Sequence, residues 1–132
     1  MGKLTARPFL VFQGEAADAI DFYLSVFPDS EVFKVEHYAA GEAGREGTIK
    51  QARFSVAGQE VICTDSVVKQ SFTFTPAFSF FIECPSEEQL RHLATVLKER
   101  GVELMPVGQY GFSKLFAWVN DRFGVSWQLN YT

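Results

Sequence analysis

The chain has 132 residues, a net charge of −4, 47% apolar and 21% charged residues, which suits one globular domain or two small halves sharing a core. There is no basic cluster, which argues against a nucleic-acid surface, and no apolar run approaches the ~20 residues of a membrane span. The 14 phenylalanines imply a core or pocket built largely from aromatic rings.

The N-terminal MGKLTA lacks a signal-peptide apolar region, and Ala6 stands where a myristoylation pattern needs Ser or Thr. Cys63 and Cys84 form no CxxC and no metal-like spacing, so two reduced thiols in a cytoplasmic protein are expected.

In chain order, residues 8–13 (PFLVFQ) predict a strand. Ala16, Ile20, Tyr23 or Leu24, and Phe27 then fall at helical spacing between Glu15 and Phe27, before Pro28-Asp29 stops the helix. A second strand is expected over Glu31–Tyr38, and the glycine-rich residues 39–47 read as a mobile loop. Thr48–Val56 predicts a third strand, with Ala52, Phe54 and Val56 on one face and Gln51, Arg53 and Ser55 on the other. Ala57-Gly58-Gln59 is expected to turn into a fourth strand, Glu60–Asp65. Residues 66–76 form a connector.

The pattern then repeats. Ala77–Cys84 reads as a strand, and Ser86 with Gln89 makes a capping box. Leu90, Leu93, Ala94 and Leu97 form a buried helical stripe, with Gly101 as the expected C-terminal cap. Val102–Val107 is a strand, residues 108–111 a loop, and LFAWVNDRFGVSWQLNY (115–131) a hairpin. The chain is thus expected to be α+β, with two β-α-β-β-β modules (7–65 and 77–131) whose sheets form a curved cup with helices outside. In the last strand Ser126, Gln128 and Asn130 alternate with Val125, Trp127, Leu129 and Tyr131, so a polar stripe crosses an otherwise apolar hairpin.

The motifs AIDFY (19–23), SVFPDS (25–30), ARFSVAGQ (52–59), SFFIECPSEEQL (79–90) and WVNDRFGVSWQL (118–129) resemble those of the vicinal oxygen chelate superfamily, which includes glyoxalase, bleomycin-resistance and extradiol-dioxygenase relatives. Within it the chain is similar to the PhnB-like group, labelled demethylubiquinone methyltransferase-like. The resemblance implies a glyoxalase-like fold and a homodimer. It also implies four metal-ligand positions, which fall here on Pro8, on Ile62 or Cys63, on Ala77 and on Gln128. Proline and alanine offer no side-chain donor and an amide oxygen is a weak neutral ligand, so no metal and no cofactor is expected. No glycine-rich loop follows a strand to hold a methyl donor.

Gln128, Arg53 and Gln51 are the polar candidates for a small-molecule site, Arg53 to hold an anionic or carbonyl group and the amides to orient it. Trp118 and Phe116 are expected on the same inner face, either stacking on a planar ligand or filling the cup. Tyr110 and Phe112 are candidates for a lid over it. Cys63 reads as a nucleophile if a cation lowers its pKa, or as a small buried thiol. Glu60 and Asp65 are possible acids or bases, and as turn-proximal carboxylates are expected to be solvated. His37 and His92 lie on separate elements and make no site. Two functions follow: a metal-independent binding protein with an aromatic cup, or an isomerase or lyase acting next to a carbonyl, metal-assisted only through a non-standard ligand set.

Overall fold

A computed structural model describes residues 2–132, and eight strands and two helices occur among them. The chain divides into two compact units, one ending at Thr73 and the other running Phe74–Thr132. The architecture is α+β, and each unit repeats the same order of elements.

The first unit contains β1 (Phe9–Phe12), α1 (Ala16–Val26), β2 (Val32–His37), β3 (Ile49–Val56) and β4 (Gln59–Asp65), in a sheet of order β1-β4-β3-β2. β1 runs parallel to β4, and the other pairs are antiparallel. α1 covers one face, where Ala19, Ile20 and Tyr23 bury against Ala52, Phe54 and Val61. The Tyr23 ring stacks on Phe54 with centroids 6.3 Å apart.

The second unit contains β5 (Ser79–Glu83), α2 (Glu87–Lys98), β6 (Val102–Gly108), β7 (Leu115–Asn120) and β8 (Ser126–Tyr131) in the equivalent order β5-β8-β7-β6. α2 begins as expected, with Ser86 Oγ accepting from the Gln89 amide at 3.2 Å. Its Leu90, Ala94 and Leu97 bury on the face that carries Trp127, Leu129, Ala117 and Val119. Phe80 stacks on Trp127 at 4.8 Å.

Three local expectations are corrected. The β3–β4 turn is two residues long, because Val56 pairs with Gln59 and Ala57 and Gly58 both have positive φ, 48° and 86°. That is the type I′ geometry that matches strand twist. The residue leaving α2 in the left-handed region is Arg100 (φ 60°), not Gly101. Gly101 is needed for a different reason, since a Cβ there would lie 2.1 Å from the Asn120 carbonyl oxygen. The second unit's first strand starts at Ser79 rather than Ala77, because a turn in which Phe78 N–H donates to Thr75 O precedes it. At the base of the 39–47 loop, Tyr38 N–H donates to Thr48 O and Gly47 N–H to Tyr38 O.

Candidate functional site

Each sheet has one face under its helix and one face free of it, and cross-strand partners in register share a face. In the second unit, Phe81 pairs with Gln128, Gln128 with Trp118, and Trp118 with Met105. These four side chains form one row on the face opposite α2. Phe81 is 54% exposed, while Trp118, Gln128 and Met105 are half-buried.

The row is held by hydroxyl groups from its neighbours. The Trp118 indole N–H donates to Ser126 Oγ at 2.8 Å, and Ser126 is itself buried. Gln128 Nε2 donates to Ser79 Oγ at 3.0 Å. An indole with its polar edge satisfied from within the sheet presents its π-face, and a Gln amide with its nitrogen engaged presents its oxygen as an acceptor.

Phe116 shares this face, through its register with Asn130 and Gly108, but it is covered. Phe112 meets it edge-on at 4.9 Å and Tyr110 at 6.1 Å, leaving Phe116 3% exposed. The Tyr110 hydroxyl donates to Pro106 O at 2.5 Å. Tyr110 and Phe112 therefore lie over Phe116, and the exposed aromatic surface is theirs.

The first unit's helix-free face carries an ionic cluster beside the apolar Phe9 and Ile62. Arg53 pairs with Ile62 and Lys34, and Gln51 with Glu36. Arg53 Nη2 donates to Glu60 Oε1 at 2.7 Å, and Arg7 Nε binds the other oxygen of Glu60. A carboxylate held by two guanidinium groups, one on each oxygen, positions Arg53. Arg53 Nε is buried without a hydrogen-bond partner among the described residues. Gln51 is exposed.

Cys63 is on the other side of its sheet. It pairs with Ala52, next to Leu10, and is fully buried on the α1 face. Burial, and secondarily the charge of Asp65, push its thiol up to about 12, the opposite of what a nucleophile needs. Asp65 is buried rather than solvated: its Oδ1 accepts from the Gly14 and Ala16 amides and its Oδ2 from the Ile49 amide. Those bonds make it the cap of α1, whose own preceding residue Glu15 supplies no side-chain cap. His37 and His92 are on separate elements, β2 and α2, and both face solvent.

The structure therefore brings Gln128 and Trp118 together on one face, with Phe116 beneath a loop, and groups Arg53, Glu60 and Gln51 on the open face of the other unit. Phe81, Ser79, Ser126 and Met105 join the first group and Arg7 the second. Sequence reasoning missed these residues: SFFIE has three apolar residues in a row and so no alternation to assign Phe81 to a face, β6 is irregular around Met105, and Arg7 precedes the first strand.

The superfamily's metal does not fit these residues. Ile62 has no donor and occupies the open face, Cys63 faces α1, and Gln128 has its amide nitrogen on Ser79. No group of three or more His, Cys, Asp or Glu side chains is arranged to hold a metal among the described residues.

A family model described as 3-demethylubiquinone-9 3-methyltransferase matches residues 4–130. A Bacillus cereus PhnB protein of solved structure is 43% identical, with a TM-score of 0.93, over 98% of this chain and 100% of that one. A Pseudomonas aeruginosa protein is 23% identical with a TM-score of 0.84, covering 98% of each chain. The fosfomycin resistance protein FosX of Listeria monocytogenes shares the fold at 13% identity and a TM-score of 0.69, over 98% of this chain and 94% of that one. No curated protein matches the chain.

Proposed function

Because the chain belongs to the 3-demethylubiquinone-9 3-methyltransferase family, the PhnB-like group of the vicinal oxygen chelate superfamily, we propose that it is a metal-independent binding protein for a planar, largely apolar small molecule, held on the helix-free face of the second unit. The observation that carries this is the row Phe81–Gln128–Trp118–Met105, with the indole fixed by Ser126 and the amide by Ser79. Two aromatic rings and a thioether supply stacking and dispersion surface, and the Gln128 oxygen supplies one directional contact. Pre-set side chains lose little freedom on binding, which favours affinity.

The two residues that the catalytic alternative names give it no support. In the isomerase or lyase reading Glu60 or Cys63 is the base or nucleophile, but Glu60 is engaged by Arg7 and Arg53 and Cys63 is buried on the α1 side. Methyl transfer lacks its parts too: the segments after β1 and β5, Gln13-Gly14-Glu15 and Cys84-Pro85-Ser86, form no glycine-rich cradle for a methyl donor. A homodimer and a cytoplasmic location, where Cys63 and Cys84 stay free thiols, complete the proposal.

The test is titration with a panel of planar quinones, monitored by quenching of tryptophan fluorescence. Trp118→Ala is expected to weaken binding about tenfold or more, the loss of one aromatic contact and its buried area, and Trp118→Phe to restore most of it. Equal affinity in wild type, Trp118→Ala and Gln128→Ala would remove this face from the function. Elemental analysis of protein purified without chelator tests metal independence: stoichiometric zinc, nickel, manganese or iron that disappears in Gln128→Ala would overturn it.

A further inference from the structure

The first unit contains a cavity of about 410 Å³ where the end of β1, the start of α1 and the segment after β4 meet. Its walls include Gln13, Gly14, Arg45, Thr48, Lys69 and Gln70, none of which belongs to the Arg53 row. The walls are tied together. Gln70 N–H donates to Gln13 Oε1 at 3.2 Å, and Gln70 Nε2 donates to Ser66 Oγ at 2.9 Å. Arg45 is held by its carbonyl, which accepts from both the amide (3.1 Å) and the hydroxyl (2.6 Å) of Thr48.

Two cations line this cavity, Arg45 and Lys69, and neither forms an ion pair among the described residues. The single carboxylate in the wall, Asp65, spends its oxygens on three backbone amides. Gly14 adopts φ +102°, and a Cβ on it would lie 3.5 Å from Arg45 Nη2, so the guanidinium lies close over a backbone without a side chain. Both side chains are exposed, and two unpaired cations beside one concave surface raise the local concentration of anions.

We propose that this cavity binds the phosphate group of a small phosphate monoester. Arg45 supplies paired N–H donors in the fork geometry that matches a phosphate oxygen pair, and Lys69 supplies the second positive charge for a dianion. The volume exceeds that of a bare oxyanion and leaves room for an organic remainder of a few carbon atoms.

Calorimetric titration of the full chain with inorganic phosphate, glycerol 3-phosphate and acetate tests it. Glycerol 3-phosphate is expected to bind more tightly than inorganic phosphate, and acetate more weakly than either. Arg45→Gln and Lys69→Gln should each weaken glycerol 3-phosphate about tenfold, the loss of one charge-assisted contact, and the double variant should abolish the signal with its circular dichroism spectrum unchanged. Trp118→Ala should leave it untouched, which separates this site from the aromatic row. Absence of binding by both phosphates at millimolar concentration, equal binding of acetate, or undiminished binding in the double variant would each overturn the proposal.

Discussion

The two units share a frame and differ on one face. Under each helix lies the same kind of layer, an aromatic pair stacked among small and branched residues: Tyr23 on Phe54 in the first, Phe80 on Trp127 in the second. On the helix-free side the first unit has Arg53, Glu60, Arg7, Lys34 and Glu36 in ion pairs, and the second has Phe81, Trp118, Met105 and a roofed Phe116. The layer under the helix must be dry and close-packed for either unit to fold. The other face is free of that demand, so its residues are the ones on which the proposed binding rests.

Removing one tryptophan from each side of the second sheet is the strongest way to break this comparison. Trp127→Ala should cost ~3–5 kcal/mol, since it empties the fully buried layer and leaves Asp121 Oδ2 without the indole N–H that it accepts at 2.9 Å. Trp118→Ala should cost only about 1–2 kcal/mol, as a half-buried side chain loses less area. Urea midpoints measure both, and equal losses would mean that the two faces are not distinct.

The units also share a device. Asp65 accepts three backbone amides, and Asp121 accepts the Phe123 and Val125 amides as well as the Trp127 indole. Asp65→Ala and Asp121→Ala should therefore each cost about 3 kcal/mol, by stranding buried donors. A loss below about 1 kcal/mol at Asp65 would show that the start of α1 does not depend on it.

The smallest effect concerns the thiols. Burial raises the pKa of both Cys63 and Cys84, but Cys63 is 0% exposed and Cys84 6%. Iodoacetamide at mildly alkaline pH should label Cys84 first and Cys63 only on unfolding. The folded Cys63 thiol keeps its proton to about 12 while the unfolded one releases it near 9.0. Its contribution to stability is therefore complete below the unfolded value and is lost as pH rises from there toward the folded one. A Cys63→Ser variant should flatten that part of the curve.

Element order, the repeat and the two faces of the final hairpin were legible because each rests on periodicity within one segment. Trp127 and Trp118 alternate with their neighbours strongly enough to be assigned to opposite sides. What depended on pairing between segments was not legible. Cys63 and Ile62 exchange faces if the β3–β4 turn changes by one residue, and counting Gln59 as turn rather than strand hid the register that sets Cys63 opposite Ala52. The link of Asp65 to α1 spans 49 residues, beyond any local pattern. The cavity between Arg45 and Lys69 likewise exists only because two loops meet.

The turn that fixes this register has Ala57 in the left-handed region at φ 48°, where an L-residue other than Gly, Asn or Asp is disfavoured by about 1–2 kcal/mol. The β3–β4 hairpin is thus closed by its stem against the preference of its own tip. The offsetting stabilisation comes from the stem, where Phe54 and Val61 pair with each other and are fully buried on the α1 face, so the turn depends on packing further down its strands.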